Sequence, residues 1–309
     1  MPLLMTYEPS GKIHPAGLLG LPLFMALGSS VLAWLYVLGT WYGPVLPRPL
    51  LTVAWGLATG FWAGLGIYCF NVRGPKLAVV LVLIGALTGY ALSWAFWTER
   101  ALSLPEVAFY VRKTTTFQEA GQAGDYFGKI TDIILDPARI MAAAKAAHDQ
   151  GLWEVFRSGR NFTGELLLLV WLGEAALYFG LVVYKSRAAA RRPFSEIGGY
   201  WLKRQNLPAA AGLPEGSEVV IDRIKNGDVN YLGAAPREKK SNKSSHLVLQ
   251  LFTAKKPGDR SFVSVTHMKI GRRGRLEPKK LVENLAVDSK MAETLKTRFG
   301  PIPPPPKST

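Results

Sequence analysis

Four long apolar stretches constrain this chain more than any other feature. Leu18–Tyr42, Leu50–Phe70 and Leu77–Trp97 contain no Asp, Glu, Lys or Arg, and Leu166–Tyr184 contains a single one, Glu174. An α-helix rises about 1.5 Å per residue, so about 20 residues cross the roughly 30 Å hydrocarbon core of a bilayer. The pattern predicts an α-helical integral membrane protein with four transmembrane helices and a small α+β cytoplasmic C-terminal domain.

The distribution of charge, proline and glycine divides the chain into seven predicted segments. They are a cytoplasmic N-terminus (1–17), a three-helix transmembrane unit (18–97, with helices at 18–42, 50–70 and 77–97), an extracytoplasmic helical segment (98–161), a fourth transmembrane helix (162–184), a basic juxtamembrane anchor (185–204), a cytoplasmic α+β domain (205–300) and a Pro-rich tail (301–309).

Basic residues near the helix ends predict the orientation. Arg73 and Lys76 lie in the short turn between the second and third stretches, and a cluster of basic residues follows the fourth stretch. Positive residues close to the ends of membrane helices stay in the cytoplasm. Both groups are cytoplasmic if both termini are. The net charge of +15 agrees, because residues 185–309 carry 25 basic and 11 acidic side chains. We therefore expect a multi-pass protein of a bacterial inner (plasma) membrane.

Two neighbouring spans each carry a strip of small residues spaced four apart, which places each strip on one helix face. Such strips allow helix backbones to approach closely in lipid. In an antiparallel hairpin, the residue numbers of any two facing positions add up to the same value. The two strips satisfy this condition for a hairpin whose turn lies at Gly74 and Pro75. We expect the strips to pack on each other; the alternative is that each faces another helix or a second subunit. The strips are Gly56, Gly60 and Gly64 in the second span and Gly85, Gly89 and Ser93 in the third.

Glu174 is a carboxylate near the middle of the last span, where a charged side chain costs roughly 2.5–3.5 kcal/mol on insertion scales. The spans contain no Lys or Arg to pair with it. Without a counter-charge the neutral form is favoured, and Ser29, Ser30, Thr59 and Thr88 are candidate hydrogen-bond partners at similar depth. Two interpretations remain open: a proton- or cation-responsive site, and a protonated carboxyl that bonds helices together.

The two soluble segments carry their own secondary-structure signals. In the outer segment, Asp136 before Pro137 predicts the start of a helix that continues through Ala138–Asp149. In the C-terminal domain, β-branched runs and turn residues predict two hairpins, and two helical patterns follow. The predicted strands are Glu218–Ile224, Asp228–Leu232, His246–Thr253 and Arg260–Met268, and the predicted helices are Pro278–Ala286 and Asp288–Phe299.

No motif in the chain identifies a reaction. Gly271–Gly274 lacks the phosphate-loop pattern, and Ser195 lacks the GxSxG setting of a nucleophile. A single cysteine, Cys69, allows neither an intrachain disulfide nor a Cys-based zinc site. His246 and His267 have no carboxylate close in sequence to complete a metal site. We therefore predict no enzyme activity, no catalytic residue, no metal and no cofactor.

The basic residues predict contact with an anionic surface. Attraction to anionic headgroups is worth about 1 kcal/mol per basic residue close to the membrane. A solvated positive face is the plain alternative, and the scarcity of aromatic stacking residues disfavours nucleic acid. The predicted contact residues are Lys185, Arg187, Arg191, Arg192, Arg272, Arg273 and Arg275.

These observations favour one function and leave others open. The first is a membrane-anchored interaction or scaffold protein that presents its basic domain to a protein partner or anionic lipid. The alternative is an oligomeric channel or transporter subunit with Glu174 as a working part. A membrane enzyme is the third hypothesis, for which the sequence offers no clustered catalytic residues.

Overall fold

The structure is a computed structural model of the chain. Two compact units make up the fold: a helical unit, residues 11–191, and a sheet domain, residues 6–10 and 192–301. The described residues are 6–42, 48–104, 108, 126–150, 153–154, 161–213, 218–239, 244–256, 258–271 and 274–301.

In the described part of the helical unit there are four long helices, two short ones and a pair of two-residue strands. The long helices have 22 to 28 residues, which corresponds to about 33–42 Å. Each covers one of the four predicted spans to within two residues, and each is long and apolar enough to cross a membrane. The elements are α1 (Pro15–Tyr42), α2 (Arg48–Cys69), α3 (Pro75–Leu102), α4 (Tyr126–Leu135), α5 (Pro137–Gln150), β1 (Trp153–Glu154), β2 (Asn161–Phe162) and α6 (Gly164–Ala190).

Large apolar side chains point outward along the long helices. Leu19 is 76% exposed, Leu27 71%, Phe61 68% and Leu169 64%. Soluble monomers rarely expose contiguous apolar surface on this scale. The helical unit therefore carries an outer surface suited to lipid, with its small residues turned inward.

The small-residue strip of α3 packs on α1. A Cβ added at Gly85 would lie 2.4 Å from Met25 Cβ and 2.6 Å from the Pro22 carbonyl oxygen. A Cβ added at Gly89 would lie 2.4 Å from Ser29 Oγ. Because no side chain fits there, the glycines allow the two helices to approach at backbone distance.

The glycine strip of α2 packs on α6, so the predicted direct packing of the two strips on each other is wrong. Helices α2 and α3 touch little, and the helix order around the unit is α1, α3, α6, α2. The residue numbers of the two strips match the register of an antiparallel hairpin, but they do not specify which neighbouring helix each strip faces. The contacts of the α2 strip are Gly56 with Leu181, Gly60 with Lys185 and Gly64 with Ala189.

The sheet domain is built on an antiparallel sheet in the order β10-β9-β8-β6-β7, and β5 also pairs with β8. Its elements are β3 (Phe194–Ser195), β4 (Tyr200–Trp201), β5 (Lys203–Asn206), β6 (Ala209–Gly212), α7 (Glu218–Lys225), α8 (Asn230–Ala234), β7 (Arg237–Lys239), β8 (His246–Thr253), β9 (Ser261–Ile270), β10 (Leu276–Val287) and α9 (Ser289–Phe299).

The sheet has two buried faces of unequal size. Alternate residues of the central strands, such as Leu249 and Val265, form the main core with Leu295 and Phe299 of α9. The opposite face carries a smaller cluster centred on Phe262. The period of two along each strand separates these sets, so the β8–β9 hairpin buries both of its faces.

The predicted β8–β9 hairpin and the predicted terminal helix are confirmed. Residues 246–253 pair antiparallel with the strand beginning at Ser261. Helix α9 is capped by Asp288, whose Oδ1 accepts a 2.6 Å hydrogen bond from the Met291 amide. Helix α5 begins at Pro137, directly after Asp136, as expected.

Two predictions for this domain are wrong. The expected hairpin Glu218–Ile224 and Asp228–Leu232 forms helices α7 and α8, because Val220 and Ile224, four apart, pack on the core together. The expected helix Pro278–Ala286 is part of β10, because pairing with β9 overrides the helix preference of its Lys and Glu residues. Its proline is tolerated near the edge of the sheet.

The N-terminal segment is part of the sheet domain. Thr6 bridges to Leu285 of β10, and the Tyr7 amide donates a 2.8 Å hydrogen bond to the Asn284 carbonyl. The Tyr7 ring meets Phe262 edge-to-face at 5.3 Å between centroids. Chain on both sides of the helical unit therefore contributes to one folded domain.

Candidate functional site

Glu174 does not bond to the side chains that the sequence singled out. Ser29 donates to a backbone carbonyl of α3 at 2.8 Å. Ser30 and Thr88 each donate to the carbonyl four residues back in their own helix, and Thr88 is exposed on the outer surface. Thr59 is fully buried on α2. The helices extend beyond their apolar stretches by different amounts, so the centre of a stretch does not fix the depth of a side chain.

Thr52 is the partner that the sequence reasoning missed. Its hydroxyl donates to Glu174 Oε1 at 3.4 Å, and the Tyr36 hydroxyl lies 3.2 Å from the same threonine oxygen. Thr52 is fully buried on α2, so this short chain of polar groups joins α1, α2 and α6. Thr52 lies four residues into α2 and Glu174 ten residues into α6, so depth counted from the helix ends would not have paired them either.

A pocket opens beside Glu174, enclosing about 460 Å³ of empty space including its mouth. Its residues come from the C-terminal halves of α1 and α3 and from the N-terminal halves of α2 and α6. Six of its ten lining side chains are aromatic, and Glu174 is the charged one among them. The lining residues are Tyr36, Val37, Thr40, Trp55, Tyr90, Ser93, Trp94, Trp97, Trp171 and Glu174.

Interlocked rings form the wall of this pocket. Trp94 lies edge-on to Trp171 at 5.1 Å and to Trp97 at 5.7 Å between centroids. Tyr36 stacks on Trp55 at 4.5 Å. Edge-to-face and stacked pairs are the favoured arrangements of aromatic rings, so the wall holds its shape without a ligand.

The pocket is closed below by further rings. Tyr178 is fully buried, stacks on Trp55 at 4.0 Å and lies 5.9 Å from the Tyr90 ring. Beyond this layer the helices pack through their glycines, with no space for a side chain at Gly56 or Gly85. Within the described part of the helical unit the pocket therefore ends at the ring layer.

A cation already rests on aromatic rings at the same end of α3. Arg100 lies 5.5 Å from the Tyr42 ring centroid and 5.8 Å from that of Tyr126. It also forms an ion pair with Glu99 at 3.4 Å. These contacts hold the Arg100 guanidinium outside the set of residues that line the pocket.

The predicted basic contact residues are exposed wherever the structure describes them. Lys185 and Arg187 lie in the last two turns of α6, and Arg191 and Arg192 follow its end. The stem of Lys185 lies against Gly60, although the residue as a whole is exposed. Two of the predicted residues, Arg272 and Arg273, lie outside the described residues. Arg275 is exposed before β10.

A buried cluster anchors the turn between β8 and β9. Ser195 Oγ donates to Asp259 Oδ2 at 2.5 Å, and the Tyr200 hydroxyl donates to the same oxygen at 3.1 Å. The Lys255 amide donates in turn to the Tyr200 hydroxyl at 2.8 Å. Ser195 Oγ also accepts a 2.6 Å hydrogen bond from the Gly198 amide, so the cluster positions the basic turn Lys255–Lys256.

The two histidines of the sheet point to opposite faces. His267 pairs with Leu247, the neighbour of His246, so the period of two separates the rings. Each ring has its own partner: His246 Nδ1 lies 2.8 Å from the Ser244 carbonyl, and His267 Nε2 lies 2.7 Å from Ser245 Oγ. No cluster of three His, Cys, Asp or Glu side chains suited to a metal occurs among the described residues.

Burial lowers the pKa of His267 below its ordinary value of 6.5. The positive charges of Lys269 and Lys279 and the ring of His246 lower it further, while Glu218 opposes them. The neutral imidazole is therefore the form that fits the folded domain.

No protein-family model, no curated protein and no solved structure matches this chain.

Proposed function

We propose that this chain is a membrane-anchored interaction protein that holds its basic sheet domain at the cytoplasmic face of a bacterial inner membrane, against anionic lipid. The observation that carries the proposal is the cluster at the end of α6. Lys185, Arg187, Arg191 and Arg192 place four exposed cations within eight residues across the end of a helix of membrane-spanning length.

The strength of this anchor follows from general electrostatics. Each basic residue close to an anionic leaflet contributes about 1 kcal/mol, so the four together contribute about 4 kcal/mol. The attraction acts over a Debye length of about 8 Å at physiological ionic strength, and higher salt weakens it. The stem of Lys185 packs on Gly60, so its ammonium group can reach the lipid headgroups while the stem keeps this apolar contact.

The sheet domain adds further cations in ordered positions. Tyr200 fixes the Lys255–Lys256 turn through two amide hydrogen bonds, and the Lys255 ammonium lies 5.8 Å from the Tyr200 ring centroid. A turn held in this way presents its charges with less loss of conformational entropy on binding. An acidic protein partner is the alternative occupant of this surface.

The test uses the full chain, because residues 6–10 are part of the sheet domain and a C-terminal fragment would lack them. Hydrogen–deuterium exchange is measured on protein in nanodiscs of phosphatidylcholine with and without phosphatidylglycerol. We expect slower exchange in residues 185–204 and 255–260 with the anionic lipid, reversed by 0.5 M NaCl, a concentration at which the Debye length falls to roughly 4 Å.

Two variants make this experiment specific. Arg187→Gln combined with Arg191→Gln removes two of the four cations and should clearly reduce the lipid-dependent protection. Lys290→Gln combined with Lys296→Gln removes the same charge from α9 and should leave the protection of residues 185–204 unchanged. Protection that is equal in both lipids would refute the proposal and would direct attention to an acidic protein partner.

A channel or transporter subunit is the second candidate function, favoured by the pocket beside Glu174. The ring layer formed by Trp55 and Tyr178 argues against an open path in this conformation. Proton and ion flux into liposomes containing the wild type or Glu174→Gln tests it. Flux that disappears in the variant would support transport, and the absence of flux in both proteins would exclude this alternative.

A further inference from the structure

We propose that the turn between β3 and β4 (residues 196–199, the Ile197 turn) inserts into an anionic bilayer surface. The Ile197 side chain enters the apolar boundary, and the neighbouring Lys255–Lys256 turn contacts the headgroups. The inference rests on the lipid-anchor function proposed above and adds to it the surface of the sheet domain that meets the lipid. The anchor and the turn can fail separately, because they are measured on different residues.

An apolar side chain occupies the outside of the Ile197 turn, and it is 66% exposed. Turns are usually built from Gly, Pro, Asn, Asp and Ser, which supply the backbone geometry or local hydrogen bonds. Here two glycines supply it: Gly199 has a φ of +71°, and a Cβ added at Gly198 would overlap the Tyr200 ring. Ile197 is therefore not needed for the turn geometry, and its side chain projects from the surface of the domain.

A network of hydrogen bonds holds the Ile197 turn in place. Ser195, at its base, is 4% exposed and accepts a 2.6 Å hydrogen bond from the Gly198 amide. The hydroxyls of Ser195 and Tyr200 both donate to Oδ2 of Asp259, at 2.5 and 3.1 Å. Because Asp259 lies in the connection between β8 and β9, its carboxylate fixes the Ile197 turn next to the basic turn Lys255–Lys256.

Exposed cations lie at the same end of the sheet as the Ile197 turn. Lys255 and Lys256 are exposed, and so is Lys203, which pairs with Thr253 at the end of β8. Glu196 is an exposed acid that opposes the attraction, whereas the Asp259 carboxylate already accepts two hydroxyl hydrogen bonds. An apolar side chain beside a group of cations is complementary to a bilayer surface, which carries negative charge above hydrocarbon.

The chain brings this end of the sheet to the membrane surface. Helix α6 continues six residues, about 9 Å, past Tyr184, where its apolar stretch ends. The headgroup layer on each side of a bilayer is about 5–8 Å thick. Strand β3 begins at Phe194, four residues after α6 ends at Ala190, so the link is at most about 14 Å long. When α6 crosses a membrane, the sheet domain therefore begins within reach of the headgroups.

Val219 provides a matched control, because it is 65% exposed and lies at the other end of the sheet. The negative charge of its neighbour Glu218 acts on the His267 ring. His267 pairs with Leu247 near the start of β8, whereas the basic turn follows the end of that strand. Val219 thus has the exposure of Ile197 without the adjacent cations or the short link to α6.

The first experiment measures the depth of position 197 in the full-length protein. In a Cys69→Ala background, which removes the only cysteine, Ile197→Cys or Val219→Cys is labelled with a nitrobenzoxadiazole fluorophore. The protein is placed in phosphatidylglycerol nanodiscs, with or without a lipid that carries a nitroxide near the glycerol end of its acyl chain. Because interfacial apolar groups sit about 5–10 Å into this region, we expect the nitroxide to quench about half of the emission from position 197 and little from position 219.

A second experiment needs no label, since the fluorophore is itself apolar. Ile197→Ser should reduce the protection from amide exchange that anionic lipid gives to residues 255–260, whereas Val219→Ser should leave this protection unchanged. Lys255→Gln combined with Lys256→Gln should weaken the quenching at position 197, because the headgroup contacts that hold the turn at the surface are removed.

The outcomes separate the alternatives. Quenching at position 197 alone, weaker in phosphatidylcholine nanodiscs, supports the proposal. Equal quenching at positions 197 and 219, or none at either, would overturn it. If residues 185–204 keep their lipid-dependent protection in that case, the anchor stands and the basic turn is left for an acidic protein partner. Quenching at position 197 without protection of residues 185–204 would refute the anchor and leave the insertion standing on its apolar contact.

Discussion

Replacing Gly85 with alanine should separate helices α1 and α3. The added Cβ would lie 2.4 Å from Met25 Cβ, 2.6 Å from the Pro22 carbonyl oxygen and 2.8 Å from the Ala26 amide nitrogen. Two of these are backbone atoms, so no change of rotamer relieves the contact. Moving from 2.4 Å to the 3.4 Å of ordinary contact requires the helices to shift by about 1 Å.

The cost of this shift follows from packing. A gap of about 0.5–1 Å forfeits a quarter to a half of the dispersion energy of the atoms that face it. Overpacking by one methyl group typically costs about 1–3 kcal/mol. The shift would also stretch the buried 2.8 Å hydrogen bond from Ser29 Oγ to the Gly85 carbonyl. Alanine returns about 1 kcal/mol through its better helix propensity. We expect Gly85→Ala to lose about 1–2 kcal/mol of stability.

Gly180→Ala on α6 is the matched control. Its added Cβ would meet no atom within 4 Å, so the propensity gain acts alone and the variant should equal or exceed the wild type. The assay is unfolding by SDS in dodecylmaltoside micelles, followed by far-ultraviolet circular dichroism. Equal stability of Gly85→Ala and Gly180→Ala would refute the close approach of α1 and α3.

Three further predictions concern the sheet domain. Asp288→Ala removes the cap that accepts the Met291 amide and should cost about 1 kcal/mol in thermal unfolding, whereas Asp288→Ser should retain most of this stability. Tyr200→Phe removes the hydroxyl that joins Asp259 to the Lys255 amide, and it should cost about 1 kcal/mol and speed amide exchange in that turn. Burial lowers the pKa of His267, so the unfolded chain binds a proton at this residue more readily than the folded chain does. The contribution of His267 to the free energy of unfolding should therefore be fully present above the unfolded pKa of about 6.5, and it should be lost as the pH falls below that value. His267→Gln should flatten that part of the pH profile.

The four long helices could be predicted from the sequence because their signal is local. About 20 apolar residues without charge specify a span whatever the neighbours are. The pairing of the helices is not local. Gly60 and Gly89 both lie on small-residue faces, yet one meets Lys185 and the other meets Ser29. Many apolar surfaces can accept such a face, so the sequence of one hairpin does not specify its partners.

The secondary-structure predictions for the sheet domain were wrong where tertiary contacts override the local propensity of the residues. Residues 278–286 contain Lys, Glu and Leu, all good helix formers, but their backbone hydrogen bonds go to β9. The β-branched run at 218–224 suggested a strand, while its core contacts follow a spacing of four. The β8–β9 hairpin was predictable because its alternation and its turn residues agreed.

Only part of the candidate site was visible in the sequence. Glu174 was conspicuous as a carboxylate in an apolar stretch. The aromatic wall was not, because Trp94 and Trp97 also satisfy the general expectation for rings near the membrane interface. Their convergence with Trp55 and Trp171 depends on which helices are neighbours, and this information is absent from any single stretch.

The N-terminal segment gives an independent argument about topology. Residues 6–10 and 192–301 fold into one domain, so the two chain ends that flank the helical unit must lie on the same side of any membrane. An even number of crossings is then required, and the four long helices satisfy it. The parity follows from β-pairing alone, whereas the cytoplasmic assignment follows from the basic residues.

Cysteine accessibility tests both statements separately. In a Cys69→Ala background, Glu8→Cys, Lys145→Cys and Lys290→Cys each place one thiol at an exposed position. We expect a membrane-impermeant maleimide to label position 145 in intact spheroplasts, and positions 8 and 290 only after permeabilisation. Labelling of 8 and 290 from opposite sides would contradict the parity argument. Labelling of both from outside, with 145 protected, would preserve the parity and reverse the orientation, because the pairing of Thr6 with Leu285 requires a shared side without specifying which side it is.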